Sequence, residues 1–201
     1  MSAQTSTSNF IGGRLAIDFV NELSSIHEFT WEELIQFLLH SKIITQDRSL
    51  QLLTLPEYDP QVSAALLKKA RRLHMGFRQI LSVLLSGEPI HSPWVEPLNE
   101  LLRITEGHDE LLLQDGTWRL SFVARENSLE WLLAAIARSA AEIIVESPSP
   151  HLRNCSNPSC GLYFYDTSRT HGRRWCSMSR CGNRNKVTMF ARRRTATKHS
   201  H

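Results

Sequence analysis

Four cysteines are the residues whose type and spacing most clearly indicate a chemistry in this sequence. They form two pairs with four residues inside each pair, Cys155 with Cys160 and Cys176 with Cys181, and fifteen residues separate the pairs. Two close pairs joined by a short loop are the usual arrangement of a tetrahedral zinc site. Two disulfides or four free thiols are the alternatives, but nothing indicates secretion and the segment is too basic for a core. The sequence therefore predicts one structural zinc ion bound by these residues.

The predicted site is closed and therefore not catalytic. Four protein ligands leave no position for water, and exchanging His171 for one cysteine would leave the coordination sphere equally closed. A zinc hydrolase or deaminase would also need a nearby general base, and Asp166 is the single acid after residue 150. Phosphate-binding glycine loops, nucleophile elbows and paired carboxylates do not occur in the sequence. We therefore expect that the protein is not an enzyme.

The charge of the chain is divided unevenly along its length. The 201 residues carry a net charge of +3, but residues 151–201 hold eleven Lys and Arg residues against one Asp, a net charge of +10. Residues 1–150 hold twelve basic and nineteen acidic side chains, a net charge of −7. A basic surface on a small rigid module is typical of a nucleic-acid-binding protein. A solvated basic tail, or docking on a protein or on the acidic first part, are the alternatives.

A predicted helix follows the fourth cysteine and begins near Gly182. Val187, Phe190 and Ala191 share one face of this helix and are expected to pack on the zinc module. Arginine binds phosphates and guanine edges, and asparagine binds adenine edges. The residues predicted to contact nucleic acid are Arg173, Arg174, Arg180, Asn183, Arg184, Lys186, Arg192 and Arg193.

Two segments of the first part are predicted to form strands. Residues 15–20 alternate between large apolar positions and other positions, which favours a strand with one face in the core. An Asp-Gly pair at 115–116 stands between two apolar runs and predicts a hairpin, with strands over about 110–114 and 117–123.

Apolar residues at helical spacing predict five helices in the first part. Thr30 followed by Glu33 is a capping-box pattern, and Asp59 before Pro60 begins the longest helix, which Gly87 ends. The helices are predicted over about 31–40, 46–54, 60–86, 92–106 and, capped by Asn127 or Ser128, up to 146.

The Ser-Pro-Ser-Pro sequence after the last helix predicts a short, stiff linker. We therefore predict an α+β domain over 1–146, helix-rich with a small antiparallel sheet, and a linker over 147–150. A small, treble-clef-like zinc finger ending in a basic helix is predicted over 151–195, and a disordered tail over 196–201.

The first domain is expected to be a sensor or a dimerisation domain. Asp18 and Asn21 are polar within an apolar segment, so they either line a pocket for a small-molecule effector or cap the strand. A homodimer is expected because one small finger reads too few base pairs for a specific site. No apolar run is long enough to cross a membrane, and we expect a cytoplasmic protein that binds DNA. A finger that binds RNA or a protein, and an enzyme acting through its first domain, are the alternatives.

Two segments resemble known protein families. LRNCSNPSCGLYFYDTSRTHGRRWCSMSRCGNRNKVTMFARRR resembles the CGNR zinc finger, which is named after the tetrapeptide at 181–184 and shares the aromatic-Asp-x-Ser-Arg stretch at 165–169. GRLAIDFVNEL at 13–23 resembles the opening motif of the ABATE domain, although Glu22 stands where that family usually has Thr. The resemblance implies that the four cysteines bind zinc and that the module binds DNA. It also implies a stress-induced transcription regulator of bacteria.

Overall fold

The computed structural model describes residues 10–23, 28–104, 107–114, 117–124, 129–149 and 151–187. The helices in these ranges are α1 Leu15–Glu22, α2 Trp31–His40, α3 Gln46–Leu53, α4 Leu55–Tyr58, α5 Pro60–Ser86, α6 Ser92–Ile104 and α7 Trp131–Val145. The strands are β1 Gly107–Gln114, β2 Thr117–Ala124, β3 Leu152–Asn154 and β4 Tyr163–Tyr165, and a π-helical turn spans Met178–Gly182. The predicted fold class is confirmed: a helix-rich first part, a small antiparallel sheet and a cysteine-rich last part. Arg192, Arg193 and the predicted tail over 196–201 lie outside the described residues.

The segment predicted as a strand over residues 15–20 is instead the helix α1. Ala16, Ile17, Phe19 and Val20 are all buried, so protein surrounds most of this helix. A short segment that is apolar nearly all round fits a buried helix as well as a buried strand, and alternation cannot separate the two.

The predicted start of α2 and both predicted ends of α5 agree with the capping contacts of the structure. At α2, the Glu33 amide donates to Thr30 Oγ1 at 3.3 Å, and the Thr30 amide donates back to Glu33 Oε2 at 2.7 Å. Asp59 caps α5, and Gly87 ends it with a φ of +76°. The two residues predicted to cap α7 lie outside the described ranges, and the helix begins after Glu130.

The predicted hairpin is confirmed by the pairing of β1 with β2. The strands are antiparallel, with Gln114 opposite Thr117 and Gly107 opposite Ala124. The two residues predicted to form its turn are not among the described residues. Within the described ranges, no helix is both long enough and apolar enough to cross a membrane.

Strand β4 joins the two hydrophobic clusters of the fold. Tyr163 and Tyr165 are buried in the main core, together with residues of α1, α2, α5 and α7. Phe164 is buried in a second cluster, which contains three of the four cysteines and is extended by Ile11. Neighbouring side chains of a strand point to opposite faces, so one three-residue strand packs on both clusters. The cysteine-rich part is therefore packed directly on the helical part.

Gly13 precedes α1 at a position where a larger residue would be strained. Its φ is +76°, and a Cβ atom there would lie 3.1 Å from the carbonyl oxygen of Tyr165. Gly87 has the same φ, but a Cβ atom there would meet nothing within 4 Å.

We expect Gly13→Ala to lower the free energy of unfolding by more than Gly87→Ala does. Both variants are destabilised by about 1–2 kcal/mol because alanine disfavours a left-handed backbone. Only in Gly13→Ala must the new Cβ atom also push the β4 backbone away. Urea denaturation of both variants measures the difference. Equal losses would contradict a close packing of residue 13 against β4.

Candidate zinc centre and basic surface

The four cysteine thiols lie together in one cluster. Their Sγ atoms are all within 4.8 Å of one another. The Sγ atom of Cys176 is 3.6 Å from that of Cys160 and 3.7 Å from that of Cys181. Tetrahedral zinc with Zn–S bonds of about 2.3 Å requires sulfur atoms about 3.8 Å apart. The separations are far longer than the roughly 2.05 Å of a disulfide bond, so the cluster fits one structural zinc ion.

Tight turns bring each cysteine to the cluster. Cys155 follows β3, and Cys160 closes a turn in which its amide donates to the Asn157 carbonyl at 2.9 Å. Cys181 lies in the π-helical turn, where its amide donates to the Ser177 carbonyl at 3.0 Å. The turn within the first pair therefore brings Cys160 to the cluster.

Hydrogen bonds from the protein orient the sulfur atoms, and burial together with hydrogen bonding shifts the pKa of three of the thiols. The Cys176 amide donates to Cys155 Sγ at 3.4 Å, and Asn157 Nδ2 donates to Cys181 Sγ at 3.3 Å. Burial raises the pKa of the Cys176 and Cys160 thiols. Burial also acts to raise the pKa of Cys181, but the Asn157 hydrogen bond and those from the other thiols outweigh it and lower that pKa. Hydrogen bonds to the ligand atoms are typical of metal sites. The hydrogen bond from Asn157 to the Cys181 sulfur was not predicted from the sequence.

Asp166 organises the loop between the two cysteine pairs. Its carboxylate is fully buried and accepts hydrogen bonds from Ser168 Oγ at 2.6 Å, the Ser168 amide at 3.0 Å and the Arg173 amide at 2.9 Å. Burial alone would raise its pKa, but these hydrogen bonds and the Arg153 guanidinium outweigh it and lower the pKa to about 2. The Asp-x-Ser pattern at 166–168 therefore has a structural role, as an ionised carboxylate that holds the loop.

The Arg173 side chain is engaged inside the fold. Its guanidinium donates to the carbonyls of Ile11 and Trp175, each at 3.0 Å, and to the carbonyl of Cys176. It also lies 4.5 Å from the centroid of the Phe164 ring. Nucleic-acid contact through Arg173 stays a prediction, and it would require the side chain to leave these partners.

The other predicted nucleic-acid contacts within the described residues are exposed. They lie close together in the chain, in the loop before Cys176, in the π-helical turn and in the helical residues 183–187 that follow it. These exposed residues are Arg174, Arg180, Asn183, Arg184 and Lys186. The structure therefore places five of the eight predicted residues on the surface of the zinc module.

The apolar face predicted for the last helix is not packed as expected. Val187 is 69% exposed, and Met178 in the preceding turn is 52% exposed. Phe190 and Ala191 lie outside the described residues. The expectation that Val187 packs on the zinc module is wrong, because Ile11, Leu162 and Trp175 pack against the cysteine cluster instead.

Asp18 and Asn21 bind backbone groups of the protein itself. Asp18 Oδ1 accepts a hydrogen bond from the Gly12 amide at 2.7 Å. Asn21 Nδ2 donates to the Tyr163 carbonyl at 2.7 Å, and Asn21 Oδ1 accepts from the Tyr163 amide at 3.0 Å. A role of either residue in binding a small molecule stays a prediction.

A shallow groove of about 270 Å³ lies beside Phe10, the end of α1 and α2. Leu23 and Phe37 are among its apolar lining residues, and Glu22 and Glu32 are among its acidic ones. Neither Asp18 nor Asn21 lines it. Its volume lies below the roughly 300–1,000 Å³ of ordinary ligand pockets.

The ionisation of Asp18 gives an expected pH dependence of stability. Burial raises its pKa to about 6, helped by the nearby Glu22 and opposed by the Gly12 hydrogen bond. A carboxyl group whose pKa is raised in the folded state stabilises the fold at low pH, and this contribution is lost as the pH rises through about 6.

We expect the free energy of unfolding of the wild-type protein to fall relative to that of Asp18→Asn between about pH 4 and pH 7. The relative change should be on the order of 2 kcal/mol. Urea denaturation of both proteins across this range measures it. A difference that stays constant with pH would show that Asp18 does not titrate in this way.

The fold and the site define a zinc-finger protein in which a helix-rich domain precedes a four-cysteine module. Comparison with family models finds matches to both parts. Residues 151–194 match the CGNR zinc finger, and residues 13–147 match the ABATE family, described as "Putative stress-induced transcription regulator". The second match covers more than half of the chain, so the protein belongs to the ABATE family, and the predicted family resemblance is confirmed. No curated protein matches the sequence.

Proposed function

We propose that the protein is a transcription regulator that binds duplex DNA through the exposed basic residues of its zinc finger. The observation that carries the proposal is the exposure of Arg174, Arg180, Arg184 and Lys186 on a module fixed by four cysteines. No Asp or Glu occurs at residues 167–187. A concentrated positive charge on a rigid support favours a polyanion partner. The family description agrees with regulation of transcription.

The helical residues after the last cysteine offer a face suited to reading base edges. Asn183, Lys186 and Val187 are spaced at i, i+3 and i+4, so they share one side of this helix, and all three are exposed. Asparagine can bind adenine through two hydrogen bonds, and an apolar side chain can contact the methyl group of thymine. We therefore propose that this face enters the major groove, where Asn183 and Val187 contact base edges. Arg174, Arg180, Arg184 and Lys186 are then the four residues that bind phosphates.

A small-molecule effector of the first domain and a homodimer remain part of the proposal. A transcription regulator is controlled by a signal, and we propose that the helix-rich domain binds the effector molecule that carries this signal. Two fingers related by a two-fold axis would read a longer site than one finger can.

Binding of full-length, zinc-loaded protein to a labelled DNA duplex and to single-stranded RNA of the same sequence tests the proposal. We expect tighter binding to the duplex, with affinity falling steeply between about 50 and 200 mM salt. Four phosphate contacts correspond to a slope of about −3.6 in log K against log salt. Equal or tighter binding to RNA would favour an RNA-binding module. Absence of binding to both would favour a protein partner.

A further inference from the structure

The outer edge of β4 is hydrogen bonded to α1 and to the residues before it. The inner edge of β4 pairs with β3. On the outer edge, the side-chain amide of Asn21 exchanges two hydrogen bonds with the backbone of Tyr163, at 2.7 and 3.0 Å. Two residues further along, the Tyr165 amide donates to the Gly12 carbonyl at 2.6 Å. Residues of the first part therefore occupy the edge of β4 to which a third strand of this small sheet would be hydrogen bonded.

Apolar packing and hydrogen bonds also connect the residues before α1 with the backbone of a cysteine of the zinc cluster. Ile11 packs against the cluster formed by the cysteines and Phe164. Arg173 donates both to the Ile11 carbonyl and to the carbonyl of Cys176. The chain before α1 is thus connected to a predicted zinc ligand through one side chain.

A third group of contacts joins the finger to both ends of the helical core. Tyr165 Oη donates to Glu146 Oε2 at 2.5 Å, directly after α7. Arg14, directly before α1, donates to the same carboxylate at 3.0 Å and lies 4.6 Å from the centroid of the Tyr165 ring. The finger therefore rests on the start of α1 and the end of α7 together.

We infer that zinc binding and the packing of α1 are thermodynamically coupled, with Asn21 and Arg173 as the positioning residues that carry the coupling. A segment as short as residues 151–187 buries too little surface to fold without its metal. Its contacts with α1 therefore form only when zinc is bound, and their free energy adds to zinc affinity. By linkage, zinc stabilises α1 to the same extent. This coupling gives the helical domain a direct influence on the basic surface, and it rests on the zinc site alone, not on DNA binding.

The first test compares the zinc affinities of full-length variants by competition with a chromogenic chelator. Asn21→Leu removes both hydrogen bonds to Tyr163 and is expected to weaken zinc binding about tenfold. Asn21→Asp retains only the acceptor and should give an intermediate loss. Thr54→Ala is the matched control, because Thr54 Oγ1 donates to the Gln51 carbonyl at 3.0 Å at the end of α3. It removes a hydrogen bond of the helical part away from α1 and the finger and should leave zinc affinity unchanged.

Equal zinc affinities for the wild-type protein and all three variants would overturn the inference, even if the variants unfold at lower temperature. Hydrogen exchange of the wild-type protein provides a second measurement that needs no variant to fold. Removal of zinc is expected to abolish the protection of amides in α1, while those in the middle of α5 stay protected. Unchanged protection of α1 after zinc removal would equally contradict the coupling. DNA is absent from both experiments, so failure of the proposed function would leave their outcome unaffected.

Discussion

Replacement of Cys176 by serine is expected to abolish zinc binding and to unfold the finger of the full-length protein. Cys176 is fully buried, and its sulfur lies 3.6 and 3.7 Å from two of the other thiols. A serine hydroxyl is a harder, weaker ligand for zinc than a thiolate. Structural zinc binding contributes about 10–16 kcal/mol in small fingers, so this substitution has the largest expected effect. Metal analysis of the purified variant and limited proteolysis after residue 150 measure the two consequences.

Ser159→Ala is the matched control for this substitution. Ser159 lies within the first cysteine pair and is exposed, so the variant should retain one zinc ion per chain and resist proteolysis. We expect α5 to stay folded in Cys176→Ser, because its core contacts with α6 and α7 do not involve the finger. Stoichiometric zinc and an intact finger in Cys176→Ser would contradict the four-cysteine site.

Combined replacement of Arg174, Arg180 and Lys186 by alanine is expected to weaken binding to duplex DNA about 100-fold or more at low salt. The three side chains are exposed on the zinc module, and their loss lowers the net charge of residues 151–201 from +10 to +7. Removal of three phosphate contacts should also reduce the salt slope by about 3. Fluorescence anisotropy titrations at several salt concentrations measure both quantities.

A triple variant of the helical part provides the control for charge alone. Lys42, Lys68 and Arg138 are exposed and lie outside the finger. Their combined replacement by alanine changes the net charge of the protein by the same amount, and it should weaken DNA binding only slightly. Equal losses for the two triple variants would point to diffuse attraction between the whole protein and DNA, and not to a defined basic surface.

Features set by local chemistry could be predicted from the sequence. The capping box at Thr30, the Asp59 cap and the left-handed Gly87 each act within one turn of their own helix, so nearby residues suffice to predict them. The cysteine spacing predicted the cluster for a related reason, because two tight turns bring each pair together and a short loop joins the pairs.

Features that depend on tertiary contacts could not be predicted in the same way. The buried helix α1 was predicted as a strand because its surroundings, and not its own pattern, decide between the two. Arg173 was predicted only as a nucleic-acid contact, and Asn21 was assigned to a ligand pocket or a strand cap. Asn21 binds Tyr163, 142 positions away in the sequence, and Arg173 binds Ile11, 162 positions away. A single sequence contains no pattern that shows which residues this far apart contact each other.

Selection of duplexes from a random DNA pool by the full-length protein tests the central claim most directly. The zinc-loaded protein should enrich a defined sequence motif, and a two-fold symmetric motif would also support the proposed homodimer. Removal of zinc with a chelator should abolish binding to the enriched duplex, and adding zinc back should restore it. Failure to enrich any motif, or equal binding before and after zinc removal, would contradict a regulator that reads DNA through its zinc finger.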